Sequence, residues 1–174
     1  MLRKNKVLVA TLTLAVAGIA LTIDQASARR HPHLQKTVTT KVGDVETKLS
    51  YFTAPANMEH IENVKKGAFN PSFCTVEFSA DITVGDATIA AGSYTVGAIM
   101  NGENDWSLAL YPGRPARGQE PDMSKVIKLD SLFEKTEQGS AHIYFDIMPG
   151  HGSQEGKATL IWHYGNYYLS GTLS

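Results

Sequence analysis

From Lys36 onward, apolar side chains recur at alternate positions, and the runs are broken by glycine, asparagine, aspartate or proline. Successive side chains of a strand point to opposite faces, so this period builds short, half-buried antiparallel strands. No stretch of useful length carries a helical period. Residues 38–41 and 45–52 flank Gly43-Asp44 as a first hairpin, and residues 73–82 and 88–89 flank Gly85-Asp86 as a second. A turn at Ala91-Gly92 leads into residues 94–100, and the polar stretch 101–105 returns the chain into residues 106–111. Later strands fall at residues 125–129 and 141–148. The firmest hairpin joins residues 158–164 to 167–173 through Gly165-Asn166, a two-residue loop suited to a type II′ turn. Strands this short, with turns this close, predict an all-β fold: one antiparallel β-sandwich, or a small barrel, over residues 36–174. Residues 55–66 stand apart, with Met58, Ile61 and Val64 spaced by three, and they suit either a short helix or an irregular loop.

The amino terminus reads as an address rather than as part of the fold. Arg3, Lys4 and Lys6 precede an apolar stretch from Val7 to Ile23, and Ala26-Ser27-Ala28 offers the small residues a signal peptidase requires. The apolar run falls short of the ~20 residues of a membrane-spanning helix and is diluted by Thr11, Thr13 and Thr22. The lone cysteine, Cys74, is far from the position that lipid attachment uses. Residues 1–28 are thus expected to be a cleaved signal peptide, residues 29–35 a loose arm, and the product an exported protein, periplasmic or extracellular. Removing 28 of the 174 residues leaves 146, the size of one domain with a core that needs no staples.

Cys74 has no partner for an internal disulfide. It shares a strand face with Val76 and Phe78, which predicts burial. Setting aside Arg3, Lys4, Lys6 and Asp24 leaves 13 basic and 16 acidic residues, a net charge of −3 with neutral histidines. Nucleic acid and anionic membranes need a concentrated basic surface, so neither is expected as the main partner.

Several stretches resemble the bacterial family called domain of unknown function 2911. They are Val42-Gly43-Asp44 through Leu49-Ser50-Tyr51-Phe52-Thr53-Ala54-Pro55, then Gly67-Ala68-Phe69-Asn70, Thr75-Val76-Glu77-Phe78-Ser79 and Ile89-Ala90-Ala91-Gly92-Ser93-Tyr94, with Ala158-Thr159-Leu160-Ile161-Trp162 near the end. The resemblance implies a secreted, β-rich domain and brings no assigned activity or catalytic residue. Members of that family commonly place Trp-Arg before the Gly-Ala-Asn segment. Here Val64-Lys65-Lys66 stands there, and Phe69 is inserted between Ala68 and Asn70, so no role of that pair carries over.

Familiar catalytic signatures do not occur. There is no Gly-x-Ser-x-Gly elbow, His-Glu-x-x-His helix or Cys-x-x-Cys pair, and Pro71 blocks glycosylation at Asn70. The glycines of residues 150–156 have the wrong spacing for a dinucleotide loop and precede no helix. Period two does place His142, Tyr144 and Asp146 on one strand face, with His163 on a strand that suits a neighbour. A histidine and a carboxylate there would serve acid–base chemistry or a metal; the plainer alternative is the solvated face of a half-buried sheet. Trp162, Tyr164, Tyr167 and Tyr168 invite a sugar-stacking role, yet alternation groups Trp162 and Tyr164 with Leu160, Tyr167 and Leu169 as core.

If consecutive strands run antiparallel, the turn at residues 90–92 and the loops 112–124 and 149–157 emerge at one end. Arg114, Arg117 and His151 would then form a rim for an anionic or sugar-like ligand. The expected function is an exported, non-enzymatic β-sandwich that binds a small molecule, a glycan or an envelope protein; its cofactor is unknown, and the sequence requires none. The alternative is a small extracellular hydrolase or metal-dependent enzyme working through His142, Asp146 and His163.

Cleavage after Ala28 would make Arg29 the first residue and His31 the third. A free amine, two deprotonated backbone amides and the imidazole of His31 then supply the four-nitrogen plane that Cu(II) and Ni(II) prefer, with His33 close in sequence to assist. Amino-terminal sequencing should find Arg29 first, and copper titration should show an affinity that rises with pH and is lost in His31→Ala. A different first residue, or equal affinity in both proteins, defeats the expectation.

Overall fold

A computed structural model describes residues 33–174. The leader, most of the arm, and His31 lie outside the described residues. The strands, in chain order, are β1 (Gln35–Val42), β2 (Val45–Phe52), β3 (Phe69–Phe78), β4 (Ile82–Val84), β5 (Ala87–Ile89), β6 (Gly92–Gly102), β7 (Asp105–Pro112), β8 (Ile127–Lys128), β9 (Ser131–Pro149) and β10 (Ala158–Leu173). A single helical turn, α1 (Glu59–Glu62), interrupts the irregular segment between β2 and β3. Among the described residues no helix is long and apolar enough to cross a membrane. The fold is all-β and its sheets are antiparallel, as the alternation predicts.

Six strands form one sheet in the order β1-β2-β3-β6-β7-β8, while β9 and β10 form a long two-stranded ribbon and β4 and β5 a short one. The alternation of β2 shows how the main sheet gets its inner face: Thr47, Leu49 and Tyr51 are buried, and the residues between them are not. Cys74, Val76 and Phe78 of β3, Val96 and Ala98 of β6, and Leu108 and Leu110 of β7 extend that face. The ribbon lies across it, contributing Phe145, Ile147, Leu160, Leu169 and Leu173. Cys74 is fully buried, and burial pushes its thiol well above the ordinary range.

Strand β6 is covered on both sides, with every residue from Tyr94 to Ile99 buried. Its outer side packs Ile99 with Phe69 and Ala109, beneath Tyr111 and Val126. The chain between β7 and β8 folds back over this outer face. Gly113 is held at its root, donating to Ser93 O at 2.8 Å and accepting from Thr95 N at 3.1 Å. Further along, Lys65 and Glu120 pair at 2.6 Å, and Phe69 N lies 3.3 Å from Met123 Sδ.

Several expectations are corrected. The pair 158–164 and 167–173 is not a hairpin: both halves belong to the continuous β10, which pairs along its length with β9. Gly165 has the positive φ of 58° that a turn would need, but here it serves an irregularity in the ribbon. His163 pairs with Tyr144 and Tyr167 with Lys135, so a long arc of β9 faces a short arc of β10 and the ribbon bends. Strand 141–148 is accordingly the end of β9, whose first half starts at Ser131 amid Glu134, Lys135 and Glu137. The proposed strand 73–82 stops at Phe78, and β4 begins afresh at Ile82. Of residues 125–129 only Ile127 and Lys128 are extended, after a 3-10 turn at Met123–Lys125. The last residues of the arm are tied down: Leu34 N donates to Thr53 Oγ1 at 3.1 Å, and His33 Nδ1 lies 2.9 Å from Thr53 O.

At the centre of the sheet, a Cβ on Gly97 would stand 2.5 Å from the ring of Phe69 and 2.6 Å from Asn70 O. Backbone cannot yield as a flexible side chain can. Gly97→Ala is therefore expected to cost about 2 kcal/mol or more, a fall in Tm of several degrees. Gly102→Ala, where the nearest atom is Asp105 Cβ at 3.7 Å, should leave Tm nearly unchanged. Thermal unfolding of the two variants decides.

Candidate functional site

The bend of the ribbon leaves an apolar cavity of about 170 Å³ between the layers. β10 supplies Trp162, Tyr164, Tyr167 and Leu169 on one side, and Ala98, Trp106 and Ile143 come from β6, β7 and β9. The segment between β2 and β3 closes the cavity with His60, Ile61 and Val64, and Phe73 of β3 completes the wall. Rings buttress one another around it. Trp162 stacks on Phe145 at 5.1 Å between centroids, and Tyr167 meets Phe133 edge-on at 5.2 Å.

The covering segment is fastened at both ends. Ile143 N donates to Ala54 O at 2.8 Å, Ala56 N to Ala141 O at 3.0 Å, and Gly67 N to Met100 O at 2.9 Å. In its middle, the Tyr164 hydroxyl donates to Asn57 O at 2.8 Å and accepts from Asn57 N at 3.1 Å, and it lies 3.4 Å from His60 Nδ1. Met58 rests on Gly165, where any Cβ would meet its sulfur. Thus the same glycine that bends β10 seats the cover of the cavity.

Three polar side-chain atoms of the described residues are buried without a hydrogen-bond partner, Asn166 Oδ1 among them. The indole nitrogens of Trp106 and Trp162 are buried and have no hydrogen-bond partner. A buried donor without an acceptor costs roughly 1–3 kcal/mol. Both tryptophans of the chain line the cavity.

Phe73 lines the cavity and is itself largely exposed to solvent. Between Pro71 and Cys74, β3 slips its register against β6, and Ser72 pins the irregularity by donating to Val96 O at 2.6 Å and accepting from Cys74 N at 3.1 Å. Pairing with β2 ends at Tyr51 opposite Cys74, so β3 has an open edge from there back to Phe69. The Phe73 ring sits at that edge, 69% exposed.

The residues singled out from sequence fall in three places. His142, Tyr144 and Asp146 share a face of β9, with His163 opposite Tyr144. The Asp146 carboxylate accepts from Tyr144 OH at 2.6 Å and from Ile147 N at 2.8 Å, while His163 Nε2 lies 3.5 Å from Thr136 Oγ1. Among the described residues no group of three or more His, Cys, Asp or Glu could hold a metal ion. Arg114 and Arg117 lie together in a groove over the outer face, with Pro71, Ser72, Phe73, Thr95 and Pro115. His151 stands in a different loop, whose Gly150 and Glu155 line a groove with Lys41 and Asp44. The arginines and His151 therefore do not line a common groove.

Trp162 packs against the core and Tyr164 is buried, as alternation predicts, and both wall the cavity. Phe73, His60 and Trp106 were not singled out from sequence. Only the apolar spacing of Ile61 and Val64 hinted that their segment packs on something.

Compared with known proteins, the chain matches no family model, no curated protein and no solved structure. The resemblance noted above rests on its quoted residues alone.

The bond from Tyr144 to Asp146 has a measurable signature. Chiefly through that hydrogen bond, then through burial and the carboxylate's charge, the Tyr144 phenol is pushed up to about 12 from an ordinary 10.0. The folded state then holds a proton that the unfolded state releases first, so this contribution to stability is present below pH 10 and is lost as pH rises toward 12. Tyrosinate absorbance should show a late-titrating phenol that disappears in Tyr144→Phe and moves to lower pH in Asp146→Asn. An unchanged titration in Asp146→Asn would show that the carboxylate is not the cause.

Proposed function

We propose that the chain is an exported, non-enzymatic binding module, and that its ligand is a small apolar molecule held in the aromatic cavity between the layers. The observation that carries this is the apolar cavity itself, walled by Trp106, Trp162, Tyr164 and Tyr167 and covered by Ile61 and Val64. An apolar ligand there displaces poorly bound water and packs against the rings of the wall. Size sets the class. Apolar cavities of ~150 Å³ accept a benzene ring, so about 170 Å³ suits one ring or a short alkyl chain rather than a sterol or an oligosaccharide. The export reading comes from residues 1–28 and would place this binding in the cell envelope or outside it.

Acetophenone, a ring bearing one carbonyl acceptor, is a direct probe. In ¹⁵N-labelled protein the two indole N–H signals should shift saturably on titration, and assignment follows from single Trp→Phe variants. Val64→Phe, which fills the cavity from its cover, should weaken binding at least about tenfold while the protein stays folded. Shifts that remain linear to the solubility limit, or equal affinity in Val64→Phe, would overturn the proposal.

A further inference from the structure

We infer that the ligand is an amphipathic anion: an aryl or short alkyl body in the cavity, joined past Phe73 to a carboxylate held by Arg114 and Arg117. The inference rests on the cavity proposed above as a binding site and adds the chemistry of its outer end.

Phe73 is the side chain common to the cavity and to the arginine groove. The cavity lies on the inner face of the sheet, and the groove, of about 640 Å³, on the outer. A route between faces is normally blocked by the neighbouring strand. Here β2 has already left β3 at Cys74, and Phe73 stands on the open edge. An aromatic ring left 69% exposed beside an apolar cavity is placed to move aside or to stack on a ligand that runs past it.

The charge at the far end is uncompensated. Arg114 and Arg117 are the arginines of the described residues, and neither forms a salt bridge among them. No Asp or Glu lines their groove. Their loop is held at its root by the Gly113 bonds to Ser93 and Thr95, and Pro115 between them restricts the backbone. Guanidinium groups so placed present planar donor forks that match a carboxylate. The other groove beside the cavity carries Lys135, but that ammonium already lies over the Tyr167 ring, 5.5 Å from its centroid. The arginines are therefore the better partner for an acid.

Two probes of the same shape separate the claims: 4-phenylbutyrate, and its neutral counterpart 4-phenylbutan-1-ol. Calorimetric titration of the folded protein should show the acid binding at least about tenfold tighter than the alcohol at low salt. Arg114→Gln with Arg117→Gln should bring the two to near parity, with Tm and the alcohol's affinity unchanged, and Arg117→Glu should reverse the preference. If the alcohol binds but the acid has no advantage, or keeps its advantage without the arginines, the anion inference fails and the cavity stands. If neither probe binds the unaltered protein, the cavity proposal fails and the anion inference with it.

Discussion

The ribbon of β9 and β10 cannot stand alone, and the architecture follows from what it must cover. A two-stranded ribbon is at best marginally stable in water. This one persists because Phe145, Ile147, Leu160, Leu169 and Leu173 bury themselves against the inner face of the six-stranded sheet. Full burial of such a side chain is worth ~1.5–3 kcal/mol, so the contact dominates the weak surface charges. The three salt bridges of the described residues all lie between side chains about half exposed or more, where a pair contributes little. The sheet depends on the ribbon in turn, since without it Leu49, Val76, Val96 and Leu108 would face water.

Sequence made the local elements legible wherever one face is buried and the other wet. The first hairpin, Cys74 in its buried row, and the turn between β6 and β7 all follow from period two and a turn residue. Gly165-Asn166 shows where that logic stops. A two-residue hairpin turn and a bulge inside one strand both place Tyr164 and Tyr167 on the same side, and both welcome a glycine with positive φ. What distinguishes them is the partner strand, tens of residues away. Residues 131–140 escaped for the opposite reason: Glu134, Lys135 and Glu137 dilute the alternation, and only the pairing with β10 makes this stretch a strand.

The site was less legible than the fold, because its parts answer to no single period. Trp162 and Tyr164 read as core, which they are, but a core position and a cavity wall have the same pattern. Phe73 sits beside the slipped register of β3, and alternation sets it on the wet face opposite Cys74 with no sign that it borders a cavity. The pairing of Arg114 and Arg117 was visible as a pair of charges on one loop. That the loop turns back over β3 and β6, and so away from His151, depends on contacts made by Gly113, Glu120 and Met123 at distant points of the chain.

Cavity, bend and cover are consequences of one another. The register irregularity at Gly165 falls within the stretch of β10 whose Trp162, Tyr164, Tyr167 and Leu169 line the cavity with Ala98 and Trp106 of the sheet. Closing the gap with a larger side chain would be an easy way to gain stability, as filling an apolar void generally is. Instead the chain spends the segment between β2 and β3 on roofing it, and holds that segment through the Tyr164 hydroxyl, a polar group placed beside the cavity. A space walled by rings, roofed by a fastened cover and bordered by the exposed Phe73 is a part of the core that a larger side chain could still fill with a gain in stability.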